Sequence, residues 1–130
     1  MSPSSQPQIE LQCPSAPAAV TALRRTAASF AAEQGANETL VADVNLAVSE
    51  AATNAVKYGD ESGRQGNVGL LAEVNDGWLE FSVTDEGERF GKGSPDGLGL
   101  GLAIIARLCD DLKIVQEGAG TTVLMRFALD

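Results

Sequence analysis

The order of strand-like and helix-like segments predicts an α+β fold for this 130-residue chain: a two-layer sandwich, with helices on one face of a mixed, mostly antiparallel sheet. Three observations carry the expectation. A strand-like alternation near the start runs into two consecutive helical patterns. An Asp-Gly hairpin signal joins two alternating runs in the middle, and a further pair of alternating runs follows a third helical pattern. The predicted order is β-α-α-β-β-α-β-β.

Each element has its own justification. Residues 1–8, MSPSSQPQ, lack both a basic start and an apolar stretch, so they read as a flexible tail and not a signal peptide, with a single domain expected over 9–130. IELQC, at 9–13, alternates as a strand does. The run from Ser15 to Gly35 reads as a helix, with Ser15 as cap, Pro17 in the first turn and Gly35 as stop. A second helix is expected from Asn37 to Gly59. Its apolar stripe is Leu40, Val44, Ala47, Val48, Ala51 and Ala55. NVGLLAEV and WLEFSVTD then read as strands joined at Asn75-Asp76-Gly77, because Asp-Gly suits the positive-φ positions of a tight hairpin. EGERFGKGSPDG, rich in glycine and charge, is read as a mobile loop. A third helix is expected from about Gly99 to Asp111, and LKIVQ and TTVLMRFAL form a closing hairpin across EGAG.

Composition narrows the chemistry. With 44% hydrophobic and 21% charged residues the chain has the make-up of an ordinary globular protein. Nine basic against 18 acidic residues give a net charge of −9, which opposes binding to a nucleic-acid backbone. A small phosphate ligand stays open, because local N–H groups and a divalent cation can overcome an unfavourable overall field. No histidine is present, so histidine acid–base chemistry, histidine metal ligation and histidine autophosphorylation within this chain are excluded. No run approaches the apolar length of a membrane span. Cys13 and Cys109 lack CxxC or CxxH spacing and read as small buried hydrophobes in a reducing cytoplasm, with no zinc site.

Four local patterns carry candidate function. Gly97, Gly99 and Gly101 stand at alternate positions before an apolar helical run. Bare backbone there could expose N–H groups beside a helix N-terminus and cradle phosphate. A flexible turn plus one glycine for tight helix packing would produce the same pattern. Glu50 and Asn54 form an i/i+4 pair about 40° apart at the edge of the second helix. A carboxylate to take a proton and a neutral oxygen to hold Mg2+ suit phosphoryl transfer; a solvated helix margin is the alternative. Asp85 falls in phase with Leu79, Phe81 and Val83, so its carboxylate is expected to point inward, unless it caps a turn. Thr121 is in phase with Val123, Met125 and Phe127 and turns its hydroxyl inward likewise.

Taken together, EAATNAV at 50–56, DEG at 85–87, GLGLGL at 97–102 and GAGT at 118–121 resemble, in order, the N, G1, G2 and G3 boxes of the Bergerat-fold ATPases and kinases. The wording LAVSEAATNAVKYG and the missing histidine resemble, within that superfamily, the small anti-sigma-factor serine kinases. The resemblance implies the Bergerat ATP-binding fold, ATP and Mg2+ as cofactors, and these roles: Glu50 as general base, Asn54 as Mg2+ ligand, Asp85 as acceptor for the adenine amino group. It implies further that Gly87 lies against adenine, that Gly97, Gly99, Gly101 and Leu102 belong to the stretch around the phosphates, and that Thr121 completes the adenine contacts. One departure is Arg89, which stands where the G1 pattern D-x-G-x-G has its second glycine. The implied activity is ATP-dependent phosphorylation of an anti-sigma-factor antagonist by a cytoplasmic kinase that also binds a sigma factor. Resembling proteins are dimers, and the apolar first helix and a sheet edge leave a homodimer open. A nucleotide-binding regulatory module without transfer, and an ATPase domain of a larger machine, are the alternative readings.

Overall fold

The computed structural model describes residues 7–61, 66–85, 95–117 and 120–129. Its elements run β1 (Gln8–Pro14), α1 (Pro17–Glu33), α2 (Glu38–Glu61), β2 (Asn67–Asn75), β3 (Trp78–Asp85), α3 (Pro95–Leu108), β4 (Asp111–Glu117) and β5 (Gly120–Ala128). The expected order is borne out. The expected tail boundary moves, because the Pro7 carbonyl accepts from the Val74 N–H at 3.1 Å and Gln8 already pairs with Glu73; residues 1–6 lie outside the described residues.

Local chemistry sets the helix ends. Pro17 occupies the start of α1, where its missing N–H costs nothing and its fixed φ is already helical. Ser15 is not the cap. Ala16 takes that position without a side-chain hydrogen bond, and the Ser15 N–H donates instead to the Gly66 carbonyl at 2.9 Å, tying the helix entrance to the start of β2. Gly35, at φ +96°, ends α1 in a Schellman motif: its N–H reaches the Ala32 carbonyl and the Ala36 N–H reaches that of Ala31, both at 3.1 Å. Asn37 caps α2 through its Oδ1, which accepts from the Leu40 N–H at 2.8 Å. Gly59 does not stop α2, which continues to Glu61; an interior glycine costs a helix only about 1 kcal/mol.

The sheet order is β1-β2-β3-β5-β4, and every described pairing is antiparallel. The expectation of a mixed sheet is thereby corrected. The β3–α3–β4 crossover does return β4 in the direction of β3, but β5 occupies the place between them and pairs antiparallel with both. Asp76 (φ 51°) and Gly77 (φ 83°) make the two-residue β2–β3 turn, as the dipeptide predicts. The expected β4–β5 turn falls on Gly118 and Ala119, outside the described residues.

The helices cover one face of the sheet. Leu23, Ala27, Phe30 and Ala31 of α1, with Val44, Ala47, Val48, Ala51, Ala52 and Ala55 of α2, form one buried cluster with Ile105 of α3 and the inward residues of β2, β3 and β5. At its centre Phe81 meets Phe30 and Phe127 edge-to-face, with ring centroids 6.3 and 5.9 Å apart. The run of alanines along α2 lets α1 and the sheet approach closely. Side chains on the opposite, helix-free face pair with one another: Arg126 Nε donates to Glu80 Oε2 at 3.0 Å while its guanidinium lies 4.3 Å over the Trp78 ring, and the Thr84 and Thr122 hydroxyls are 3.1 Å apart. Cys13 and Cys109 are half-buried free thiols packed against the core, and burial pushes the Cys109 thiol pKa up.

Candidate functional site

The site forms where α2 and α3 cross the end of the β3–β5 pair. Strand alternation buries Leu79, Phe81 and Val83 on the helix side of β3, and the same period carries Asp85 inward at the last position of the strand. On β5 it buries Thr121, Val123, Met125 and Phe127. Asp85 and Thr121 are direct register partners, 7% and 3% exposed. A carboxylate and a hydroxyl side by side are costly to bury unless hydrogen bonds compensate, which sets this rung apart from the apolar ones before it.

These two side chains line one cleft together with Ala51, Asn54 and Ala55 of α2, Leu102 and Ile105 of α3, and Val83 and Val123 of the sheet. The space between them in this structure is about 10 Å³, room for about one water-sized sphere. Its walls are aliphatic and its polar groups few, which suits a flat ring held edge-on by one or two directed hydrogen bonds. The expected inward phase of Asp85 and Thr121 is borne out, and Asn54 and Leu102 come to the same cleft. Glu50 lies half-buried one helical turn before Asn54 on α2 and does not line the cleft. Ile105 is a wall residue that the motif pattern does not mark; its spacing of three from Leu102 and four from Gly101 was the available signal.

The glycine stretch differs from expectation. α3 begins at Pro95, earlier than the expected start near Gly99, so Gly97 lies inside the helix with Gly99 and Gly101, and the helix ends at Leu108 instead of Asp111. Proline suits a first helical position. At the other end the Asp110 N–H is drawn to the Arg126 carbonyl at 2.8 Å and its carboxylate accepts from the Ala128 N–H at 2.8 Å, which takes the chain off the helix and onto β5. Gly97 stands in the first turn, where helical N–H groups lack internal partners; the Gly101 N–H, two turns in, is committed to the helix. Gly101 is buried instead against the Asn54 side chain. Gly87, Arg89 and the rest of the expected loop EGERFGKGSPDG as far as Ser94 lie outside the described residues, and its last three residues, Pro95 to Gly97, belong to α3. Among the described residues no group of three or more His, Cys, Asp or Glu could hold a metal ion, and no helix is long and apolar enough to cross a membrane.

Comparison with known proteins follows this geometry closely. A family model described as the histidine kinase-like ATPase domain matches residues 13–127. The serine-protein kinase RsbW of Bacillus subtilis is 34% identical, over 90% of this chain and 82% of that protein. The anti-sigma F factor of Clostridium acetobutylicum is 36% identical, over 82% of this chain and 84% of that protein. A crystal structure of RsbU and RsbW domains from Mycobacterium tuberculosis superposes with a TM-score of 0.77 at 26% identity, covering 95% of this chain and 32% of that one. The chain therefore spans about a third of that structure. In the SiaB–SiaC complex from Pseudomonas aeruginosa, a chain with 16% identity superposes with a TM-score of 0.72, a likeness of fold alone.

Proposed function

The chain belongs to the histidine kinase-like ATPase domain family, and from that premise we propose that it is an ATP-dependent serine/threonine protein kinase and anti-sigma factor that phosphorylates an antagonist protein. The observation that carries the reading is the buried Asp85–Thr121 rung at the end of an aliphatic cleft that also receives Asn54. Relatives named serine-protein kinase and anti-sigma F factor supply the reaction class and the kind of partner. In this reading the partners are a sigma factor, the antagonist and a second copy of the chain, and the compartment is the cytoplasm.

The roles follow from chemistry. The Asp85 carboxylate accepts from the exocyclic amino group of adenine, Thr121 supplies a second polar contact, and Val83, Leu102, Ile105 and Val123 exclude water around the ring. Orphan N–H groups in the first turn of α3, at Gly97, face the phosphates, with Gly99 following. Asn54 fits Mg2+, an ion that keeps most of its water and takes few protein ligands when phosphate oxygens share it; the donor set here is one neutral amide, not a carboxylate cage. When bound, the ion neutralises charge on the phosphate oxygens during transfer. Glu50 takes the proton from the acceptor hydroxyl as that oxygen bonds to the γ-phosphorus and the bond from that phosphorus to the β–γ bridging oxygen breaks, releasing ADP.

The test is phosphate transfer from labelled ATP with Mg2+ to candidate antagonist proteins from the same genome. Glu50→Gln should keep nucleotide affinity while transfer falls by about 10²-fold or more. Transfer at the wild-type rate by Glu50→Gln would refute the assigned base. A second reading, a nucleotide-dependent binding module without transfer, is favoured by the position of Glu50 outside the cleft lining. It would replace the first if wild type bound an antagonist in a nucleotide-dependent manner and phosphorylated none.

A further inference from the structure

Gly101 of α3 faces the Asn54 side chain of α2 where the two helices cross. A Cβ placed on Gly101 would lie 2.6 Å from Asn54 Nδ2 and 3.4 Å from its Cγ and Oδ1. The first distance is well inside van der Waals contact, so a side chain at 101 and the present pose of the Asn54 amide exclude each other. The other cleft-lining members of the two helices do not constrain the amide in this way: Ala51 and Ala55 end at Cβ, and Leu102 and Ile105 are apolar.

We propose that Gly101 is a positioning residue for the cation: its missing side chain is the notch that holds the Asn54 amide in the pose from which Oδ1 reaches Mg2+. The proposal rests on the nucleotide-binding reading above. It departs from the expected role of Gly101 as part of the phosphate cradle, because the Gly101 N–H is committed inside α3 and its open side faces Asn54.

Energetics make the proposal separable from ordinary packing. A Cβ at 101 can be accommodated if α3 withdraws from α2, which loses buried contacts along the helix, or if the amide rotates about the side-chain bonds of Asn54. The colliding atom is the far end of a short flexible side chain, so rotation is the cheaper route. Alanine also favours helix more than glycine does. Gly101→Ala is therefore expected to fold well and to melt no lower than wild type, while the ligand needed for the cation has turned away. Gly69 is the matched control: a Cβ there would press on the Gln12 amide at 3.0 Å, but on the helix-free face, away from the cleft.

Calorimetric affinities for ATP and adenosine, each with and without Mg2+, together with thermal melting, test the proposal in wild type, Gly101→Ala, Asn54→Ala, the double variant and Gly69→Ala. The gain in ATP affinity that Mg2+ confers should fall in Gly101→Ala by about 10- to 100-fold, the usual cost of removing a group that orients a metal ligand. Adenosine affinity should stay within about twofold of wild type, since adenosine has no phosphate oxygens to share a cation with Asn54. The double variant should bind no more weakly than Asn54→Ala alone, because no amide remains to displace. Gly69→Ala should keep the full gain. Retention of the Mg2+ gain by Gly101→Ala, a matching loss for adenosine, additive losses in the double variant, or failure of Gly101→Ala to fold would each overturn the proposal. A wild-type protein that binds ATP indifferently to Mg2+ would overturn the cation role proposed here, whereas one that binds no ATP would refute the nucleotide reading itself.

Discussion

The two ends of the β3–β5 strand pair share register, face and backbone geometry, yet they bury opposite kinds of side chain. Leu79–Phe127, Phe81–Met125 and Val83–Val123 are apolar rungs; Asp85–Thr121, the next one along, is polar and almost as inaccessible. At the first end burial is itself the stabilising force. At the second, burial carries a desolvation cost that only hydrogen bonds can offset. In the proposed reading this rung is where the sheet meets a ligand, and the neighbouring α2–α3 crossing brings Asn54 to the same cleft.

The contrast can be broken most forcefully at its apolar end. Phe81→Ala removes two edge-to-face ring contacts and leaves a void at the centre of the core, so a loss of about 3–5 kcal/mol is expected in denaturant unfolding. A loss below about 1 kcal/mol would mean that this end is not where stability resides. Asp85→Asn should act at the other end and on a different quantity. Replacing a charged acceptor costs about 1.5–3 kcal/mol of binding, roughly 10- to 150-fold in ATP affinity by calorimetry, with the unfolding midpoint unchanged or raised. Equal affinities for ATP in wild type and variant would remove Asp85 from the site. The smallest effect is expected on the helix-free face. Arg126→Gln breaks the ion pair with Glu80 and the contact with Trp78, both partly exposed, and should cost about 1 kcal/mol or less without touching nucleotide affinity.

What the chain declares in advance follows the range of the interactions involved. The Asp76-Gly77 turn, the Gly35 stop and the inward phase of Asp85 and Thr121 depend on neighbours a few residues away, and all were legible. The cap of α1 was misread because the Ser15 N–H is claimed by Gly66, distant in sequence. The mixed sheet was misread for a similar reason: no local pattern tells β5 to lie between β3 and β4. The start of α3 was placed too late, near Gly99, because the glycine- and charge-rich run through Gly97 reads as a loop, and only the packed crossing with α2 shows what one of the glycines makes room for. That possibility, a glycine for tight helix packing, was open in the sequence beside the phosphate cradle.

The position of β5 has a consequence for the order in which the molecule can assemble. It follows every other element in the chain, yet it sits inside the sheet, flanked by β3 and β4. During synthesis the β1–β2–β3 portion and the helices emerge first, while β4 has no strand to pair with and β3 keeps an open edge. Closing that gap is a non-local step of the kind that slows folding and leaves hydrophobic edges exposed meanwhile. Because Thr121 and Val123 arrive with the same strand, the cleft acquires its last wall at the moment the sheet is completed, and a nascent or clipped chain lacking β5 is left with an incomplete cleft.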